Sequence, residues 1–320
     1  MKRWRGLAAT PGDLGRTVVT IGMYDGVHRG HQALIGAAVE RARALRRPCL
    51  LLTFDPHPAE VIRPGSHPAI LTSLDRKAEL VAELGVDAMC VLPFTQEFMR
   101  LSPESFTHTV LVEHLHAAQV VVGQNFTYGH KAAGTVQTLA AEGRRFGFSV
   151  EGVPLRAIEG DGDEVTISST YIRACVAAGD MESAASALGR PHRVDGVVVR
   201  GDRRGRALGY PTANVESPPF TAIPADGVYA GHLVLRDPRS GLSKERYPAA
   251  ISVGTNPTFE GSRRTVEAFV LDFDGDLYGE HVGVEFVSRL RAMAAFPDVA
   301  SLVAAMDDDV VRTRRLLERD

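Results

Sequence analysis

The sequence has 320 residues, of which 44% are hydrophobic and 23% are charged, and its formal net charge is −3. This composition is that of an ordinary globular protein, and the length favours two domains over a single core. Neither half carries the basic excess that binding to a phosphate backbone favours, so we expect no nucleic-acid partner.

The start of the chain and its cysteines indicate the compartment. The basic first residues precede an apolar stretch too short and broken for a signal sequence, and no apolar run reaches the ~20 residues of a membrane span. Cys49, Cys90 and Cys175 are far apart and form no CxxC motif, which predicts a reducing compartment and no zinc cluster. We therefore expect a cytoplasmic enzyme with no membrane partner.

The first half alternates short apolar β runs with amphipathic helices. Strands are predicted over 17–21, 49–54, 86–92 and 119–122, and helices over 31–46, 74–84, 102–115 and 134–146. Apolar strands separated by helices are typical of a parallel sheet covered on both faces. Ligands of such sheets bind beyond the carboxyl ends of the strands. Polar residues follow three of these strands, at 22–31, 55–58 and 123–125.

Beyond residue 187 the strands are separated by turns rather than helices. Strands are predicted over 193–200, 227–235, 247–253, 265–271 and 282–290, a pattern typical of an antiparallel barrel or sandwich. A last helix is predicted from about 298 to 318, and we expect its acidic run Asp307–Asp309 to face solvent. The join near 179–191 predicts two domains, 1–186 and 187–320.

The segment Gly22–His31 lies between a predicted strand and a predicted helix, an arrangement that builds an anion site. His28 and His31 are one helical turn apart and can reach the same phosphate. The segment lacks the Gly-Lys-Ser/Thr of a P-loop, and the chain has no GxGxxG motif. We interpret the two histidines as serving chemistry at an α-phosphate; metal ligation is the alternative, and it lacks a third protein ligand. The predicted nucleotide contacts here include Gly22, Asp25, Gly26 and Gly30.

The segment Ile167–Arg173 is predicted to be a strand end followed by a capped helix start. Ser168 or Ser169 can cap this helix, and Thr170 and Arg173 fall on the same side of its first turn. A fixed guanidinium there would stabilise charge developing on pyrophosphate, whereas a surface ion pair is the alternative for Arg173.

Two further turns carry candidate ligands. Asp55 follows a buried strand and either binds flavin or ATP or caps its turn, and His57 lies between two prolines with a structural or a direct role. Asn125 belongs to a turn with amide, hydroxyl and aromatic groups, which suits a planar polar ligand, although it could equally be a turn residue.

These four segments resemble the HxGH nucleotidylyltransferase superfamily, and most closely the bacterial bifunctional riboflavin kinase/FAD synthetase family. The resemblance implies a Rossmann-like α/β nucleotidylyltransferase domain that transfers AMP from ATP to FMN, with Mg²⁺ offsetting charge. It implies direct attack by the FMN phosphate, without a covalent enzyme intermediate. The residues that it places against ATP or the flavin are His28, His31, Asn125, Ser168, Thr170 and Arg173.

A second dense motif spans Gly201–Asn214. Its glycines allow close approach to phosphate, and Thr212 and Asn214 offer the oxygen ligands that Mg²⁺ prefers. A glycine- and arginine-rich loop alone could be a solvated hairpin, but Pro-Thr-Ala-Asn directly after it favours nucleotide binding. The predicted contacts are Gly201, Gly205, Arg206, Gly209, Pro211, Thr212 and Asn214.

Glu267 is the candidate general base of this half. On a strand it shares a face with Phe269 and Leu271, and an inward carboxylate could remove a proton from a substrate hydroxyl. A cross-strand ion pair is the alternative. Arg289 and Arg291 precede the last helix and either frame the flavin or the phosphates, or form an exposed pair.

The second half resembles the riboflavin kinase domain, a six-stranded antiparallel β-barrel followed by a C-terminal helix. The resemblance implies that Thr212 and Asn214 bind Mg²⁺ and ATP. It implies that Glu267 takes the proton of the ribityl terminal hydroxyl, which then attacks the γ-phosphate.

Together the resemblances span about residues 16–318 and predict an enzyme that makes FMN from riboflavin and FAD from FMN, with ATP and Mg²⁺ in both steps. The sequence departs from the family pattern at 125–128 and at Phe269, which leaves open that only one activity is live. A flavin-binding carrier or regulator is the alternative of another class. The sequence leaves a homo-oligomer open.

Overall fold

The computed structural model describes residues 1–65, 67–154, 157–159, 164–201, 208–237, 243–258 and 261–318. The chain divides into two compact units, Met1–Pro68 with Leu74–Ser168, and Ala69–Ser73 with Ser169–Asp320. The second unit therefore includes a short segment from early in the chain. No helix in the described part of the protein is long and apolar enough to cross a membrane.

The first unit is an α/β structure built on one parallel sheet. Its strands are β1 (Lys2–Arg5), β2 (Thr17–Ile21), β3 (Cys49–Asp55), β4 (Ala88–Pro93), β5 (Ala117–Gly123), β6 (Thr127–Tyr128), β7 (Gly134–Thr135), β8 (Ser149–Val153), β9 (Ala157–Glu159) and β10 (Glu164–Thr166). Its helices are α1 (Arg29–Leu45), α2 (Pro58–Ile62), α3 (Leu74–Glu83), α4 (Gln96–Met99), α5 (Pro103–Phe106) and α6 (Val136–Phe146), with a π-helix at Thr107–His114 and 3-10 turns at Leu7–Ala9 and His130–Ala132. Six strands form the sheet in the order β1-β4-β3-β2-β5-β8, and every pairing in it is parallel.

Both faces of this sheet are covered, as the apolar strands predict. Alternate residues of β2 belong to different cores: Val19 packs in one apolar cluster and Val18 in the other. Tyr128 and Phe148 join the first cluster, while Ile35 of α1 joins the second. The four predicted strands are confirmed, and the edge strands β1 and β8 extend the sheet beyond the prediction.

The predicted helix over 102–115 is continuous but changes its hydrogen-bonding pattern. Ser102 accepts a hydrogen bond from the Ser105 backbone N–H at 3.0 Å, and Pro103 occupies the first turn, so α5 begins as the sequence predicts. From Thr107 the chain continues as a π-helix to His114.

The sheet order defines where a ligand can bind. β3 and β4 are added on one side of β2, and β5 and β8 on the other, so the order reverses between β2 and β5. In a parallel sheet such a reversal leaves a crevice at the carboxyl ends of the strands. The turns 22–31 and 123–125 follow these two strands, and both therefore lie at this crevice.

The second unit is a closed antiparallel barrel with helices. Its helices are α7 (Ser169–Ala178), α8 (Met181–Leu188) and α9 (Val299–Leu317), and its strands are β11 (His192–Val199), β12 (Thr212–Glu216), β13 (Gly227–Arg236), β14 (Ser243–Thr258), β15 (Gly261–Val270) and β16 (His281–Arg291). The barrel order is β11-β12-β15-β14-β13-β16. The predicted fold class, an α/β domain followed by a six-stranded antiparallel barrel and a C-terminal helix, is confirmed. The prediction omitted β12, because its residues were interpreted as a ligand loop.

One prediction for α9 is wrong. Asp309 does not face solvent: it is only 3% exposed, and its carboxylate accepts hydrogen bonds from Nε and Nη2 of Arg291 at 2.7–3.1 Å. Asp308 on the same run is exposed, as expected. The difference arises because neighbouring helix positions point in different directions, and Asp309 is directed at the end of β16, where Arg291 neutralises it.

Candidate functional sites

The turn between β2 and α1 is organised by its two histidines. His28 is the N-cap of α1, and its Nδ1 accepts a hydrogen bond from the His31 backbone N–H at 3.3 Å. A Cβ atom on Gly30 would lie 3.2 Å from two ring atoms of His28. Glycine at this position therefore leaves room for the ring to lie across the start of the helix.

The two rings form a compact pair inside the turn. Their centroids are 3.6 Å apart with an interplanar angle of 19°, and Tyr24 packs edge-on against His31 at 5.2 Å. Burial, followed by the positive potential of His28 and Lys77, lowers the pKa of His31 well below its usual range. His31 is thus neutral at physiological pH. Its Nδ1 is buried and has no hydrogen-bond partner among the described residues.

Other predicted residues line the same edge of the sheet. Gly22 ends the run from β2, Gly26 has a φ of 85°, and Asp25 is buried between them. Asp55 ends β3 and pairs with Arg5 at 3.0 Å. Asp25 and Asp55 both act electrostatically on the buried Lys77.

The remaining predicted turn residues have identifiable local roles. His57 is the N-cap of α2, where its Nδ1 accepts a hydrogen bond from the Ala59 N–H at 3.1 Å, so it has the structural role that was one of its two alternatives. Asn125 is exposed in the turn after β5, and its Oδ1 lies 3.1 Å from where a Cβ on Gly123 would be.

Helix α7 begins where the sequence predicted a helix start. Ser168 is the last residue of the first compact unit, and Ser169, Thr170 and Arg173 lie in the second. The Arg173 Nε donates a hydrogen bond to the Ala69 carbonyl at 2.6 Å, within the second unit.

In the barrel, the predicted base and the predicted metal ligands are neighbours. Antiparallel pairing of β12 with β15 places Asn214 opposite Glu267 and Thr212 opposite Phe269. The Thr212 hydroxyl donates a hydrogen bond to Oε2 of Glu267 at 3.1 Å. Thr212, Asn214 and Glu267 are all half-buried. Strand alternation puts these side chains on one face, opposite to that of the buried Val266 and Ala268. The predicted inward carboxylate of Glu267 is therefore instead half-buried on the other face of the strand.

A cavity of about 470 Å³ opens beside this cluster. Its lining includes Gly201, Pro211, Thr212 and Asn214 from the predicted motif, together with residues 273–278. A Cβ on Gly201 would lie 2.4 Å from the Asn214 amide, so only glycine lets that side chain keep its position. Glu267 is not part of the lining, and the Thr212 hydroxyl therefore connects the cavity to the carboxylate.

The rest of the motif is partly outside the described residues. Gly205 and Arg206 lie outside them, and Gly209 is exposed with a φ of 87°. Tyr210 packs edge-on against Phe269 at 5.0 Å, and its hydroxyl also donates a hydrogen bond to Asp307 of α9.

The two arginines near the end of β16 are engaged within the barrel unit. Arg291 holds the buried Asp309, and Arg289 donates from Nη2 to the Asp226 carbonyl at 2.6 Å. The Arg289 guanidinium carbon also lies 6.0 Å from the centre of the Tyr229 ring. Arg289 and Arg291 are therefore not the exposed pair that was one of the two alternatives from the sequence.

Lys77 is a charged residue at the first site that the sequence interpretation missed. Its side chain is buried, and its ammonium donates to the Met23 carbonyl of the histidine turn at 2.7 Å. Lys77 lies three residues after Leu74 and four before Val81, on the apolar stripe of α3. A lysine on an apolar stripe is the signal that could have identified it.

The oxygen chemistry of the barrel site suits a hard cation. Among the described residues, no group of three or more His, Cys, Asp or Glu could hold a metal ion. Thr212 and Asn214 offer a hydroxyl and an amide oxygen on one strand face beside the cavity, which is the donor type that Mg²⁺ takes in addition to substrate phosphates.

Comparison with known proteins agrees with both halves of this description. A parallel-sheet domain with a histidine turn and a barrel with a glycine-rich motif together define a class of two-domain nucleotide-dependent enzymes. Residues 11–171 match the FAD synthetase family, and residues 188–317 match the riboflavin kinase family.

Full-length relatives show the same pairing of domains. The bifunctional riboflavin kinase/FMN adenylyltransferase of Listeria monocytogenes is 37% identical over 301 residues, covering 93% of this chain and 91% of its own. That of Escherichia coli K12 is 35% identical over 297 residues, with coverage of 93% and 91%. A crystal structure described as a macrolide-efflux protein from Streptococcus pneumoniae superposes with a TM-score of 0.85 at 31% identity, covering 98% of this chain and 99% of that chain. The chain therefore belongs to the bifunctional riboflavin kinase/FMN adenylyltransferase family, which confirms the resemblance of its motifs.

Proposed function

We propose that this protein makes FAD from riboflavin in two ATP-dependent steps. The segment 187–320 phosphorylates riboflavin to FMN, and the segment 1–186 transfers AMP from ATP to FMN and releases pyrophosphate. The observation that carries the proposal is that one chain holds both a buried His31 Nδ1, without a hydrogen-bond partner in the described part of the chain, at a sheet crevice and a Thr212–Glu267 pair at a cavity.

In adenylyl transfer, an oxygen of the FMN phosphate attacks the α-phosphorus of ATP, and the bond to the β-phosphate oxygen breaks. The nucleophile is already an anion, so the protein needs to supply donors rather than a base. Because Nδ1 of His28 accepts a hydrogen bond from the His31 backbone, Nε2 is the ring nitrogen that can donate to phosphate. Together with His31 and the N-terminus of α1, this group stabilises charge on the transferring phosphate.

In the kinase step, Glu267 accepts the proton of the ribityl terminal hydroxyl while that oxygen attacks the γ-phosphorus of ATP and ADP leaves. The nucleotide occupies the cavity lined by Gly201, Pro211 and Asn214. Thr212 touches both the cavity and the carboxylate, so it aligns the phosphate with the base.

Mg²⁺ fits the second site, where Thr212 and Asn214 would hold it and it would offset phosphate charge. The other assignments stay as the sequence predicts them. At the first site, the nucleotide or flavin contacts Gly22, Asp25, Gly26, Gly30, Asp55 and Asn125, and the triphosphate is bound by Ser168, Ser169, Thr170 and Arg173. At the second site, the nucleotide or flavin is bound by Gly205, Arg206, Gly209 and Arg291. The partners are small molecules, and a cytoplasmic location stays a prediction.

A time course of the purified protein with riboflavin, ATP and Mg²⁺ tests the proposal, with flavins separated by chromatography. FMN should appear first and then convert to FAD, and added FMN should yield FAD without riboflavin. FMN that accumulates without FAD would refute the first site, and FAD formed only from added FMN would refute the second. ATP and flavin binding without either product would identify a carrier.

A further inference from the structure

A buried lysine donates a hydrogen bond to the backbone of the histidine turn. Lys77 of α3 is only 5% exposed, and its Nζ donates a hydrogen bond to the Met23 carbonyl at 2.7 Å. The Thr53 hydroxyl donates to the same carbonyl at 3.2 Å. A buried ammonium is unfavourable unless its surroundings compensate for the lost water, so this position requires a physical reason.

The compensation comes from carboxylates at the same edge of the sheet. Burial lowers the pKa of Lys77, while Asp25 of the turn and Asp55 at the end of β3 oppose that effect. Asp55 is shared with Arg5 at 3.0 Å. Lys77 also acts on His31, because its charge contributes, after burial and His28, to lowering the pKa of that histidine.

The backbone that Lys77 holds has an unusual conformation. Tyr24 and Val27, which follow Met23, have φ values of 49° and 40°, in the left-handed region that residues other than glycine rarely adopt. Such backbone is strained and persists only where its surroundings hold it in place. The bond to Met23 and the 2.5 Å contact between the Tyr24 and Thr20 hydroxyls supply that hold.

We propose that Lys77 is a positioning residue for adenylyl transfer. Its ammonium fixes the Met23 carbonyl, and through it the turn that carries His28 and His31. Its charge also adds positive potential at the histidine turn, where the transferred phosphate would bind. The inference rests on the proposed adenylyl transfer activity of this site.

The test compares three variants of the full chain. Lys77→Met removes the donor and the charge but keeps an apolar stem, and Lys77→Arg keeps the charge. Lys2→Met is the matched control, since Lys2 is an exposed lysine at the start of β1, in the same sheet. FAD formation from FMN and ATP is measured as kcat and KM against pH, and FMN formation from riboflavin reports whether each variant is folded.

We expect Lys77→Met to lower kcat for FAD formation by about 10²-fold, the typical cost of misplaced reacting groups, with a smaller change in the KM for ATP. FMN formation should stay within about twofold of wild type, Lys77→Arg should recover part of the loss, and Lys2→Met should behave as wild type. Histidine NMR titration should place the His31 pKa higher in Lys77→Met than in wild type.

Several outcomes would overturn the inference. Lys77→Met that retains wild-type kcat, or that leaves the His31 pKa unchanged, refutes a positioning role. If Lys77→Met does not fold, the inference is tested with Lys77→Arg instead. A reduced kcat for FAD formation with an unchanged pH profile supports a positioning role for Lys77, whereas an equal loss of FAD and FMN formation refutes it. If the wild-type protein forms no FAD, the proposed function itself is refuted. If the wild-type protein forms FAD and Lys77→Met forms it equally well, only the inference about Lys77 is refuted.

Discussion

Replacing Gly30 with alanine tests whether the histidine pair needs its observed geometry. A Cβ at this position would lie 3.2 Å from both Cε1 and Nδ1 of His28, a distance tighter than ordinary van der Waals contact. The ring must therefore move by a few tenths of an ångström. Because His28 stacks on His31 at 3.6 Å and caps α1, its movement also disturbs the second histidine.

The structure predicts that stability and activity respond differently to Gly30→Ala. Alanine in a helix is favoured over glycine by up to ~1 kcal/mol, whereas a weakened N-cap costs ~0.5–2 kcal/mol. These effects oppose each other, so the free energy of unfolding should change by no more than about 1 kcal/mol. Misplacement by ~1 Å can cost ~10²-fold in rate, and the smaller movement here should cost about tenfold in kcat for FAD formation.

The assay measures FAD and FMN formation separately, with thermal unfolding of the same samples. Gly36→Ala is the matched control, because Gly36 lies in the same helix and a Cβ there would meet nothing within 4 Å. It should stabilise the protein slightly and leave both activities intact. Gly30→Ala with wild-type FAD formation, or with equal loss of both activities, would show that the reasoning about the ring is wrong.

Three further predictions concern charge. Glu267→Gln should lower FMN formation by ~10²–10⁴-fold and spare FAD formation from FMN, which the two assays check; equal loss of both would argue against a base. Asp309→Ala should lower the free energy of unfolding by at least ~2 kcal/mol in urea, because it strands the Arg291 guanidinium, whereas the exposed Asp308→Ala should change it by under ~0.5 kcal/mol. Because burial lowers the pKa of His31, the unfolded chain takes up that proton first as pH falls below ~6.5. The free energy of unfolding should therefore decrease as the pH is lowered through this window. The variant His31→Asn should show a weaker dependence of this free energy on pH, and an unchanged dependence would contradict the reasoning.

Hydrophobic patterning was sufficient for much of the fold, and the reason is visible in individual strands. Residues 17–21 are apolar or β-branched and all buried, so their pattern leaves little choice besides a central parallel strand. β12 was harder, because Thr212–Glu216 alternates half-buried and buried residues over only five positions. The same short run serves as a strand and as a ligand surface, and one-dimensional patterning cannot separate the two roles.

The histidine turn could be predicted from local rules because its residues are close in sequence. His28 and His31 are one turn apart, and Gly30 between them completes a motif that local rules detect. Lys77 is 54 residues from Met23, and Asp309 is 18 residues from Arg291. Charged residues are usually solvated, so the sequence favours exposure for both until tertiary structure supplies the partner.

The two sites differ because their nucleophiles differ in charge. The FMN phosphate is already anionic, so the first site needs hydrogen-bond donors rather than a base, and we propose that the histidine turn and the start of α1 supply them. A ribityl hydroxyl is neutral and weakly acidic, so the second site needs a base; we propose that this base is Glu267, whose carboxylate accepts a hydrogen bond from the Thr212 hydroxyl. The kinase step creates the anion that the first site then uses. Neither residue set could replace the other. Loss of the first site should therefore spare FMN formation from riboflavin, and loss of the second site should spare FAD formation from added FMN.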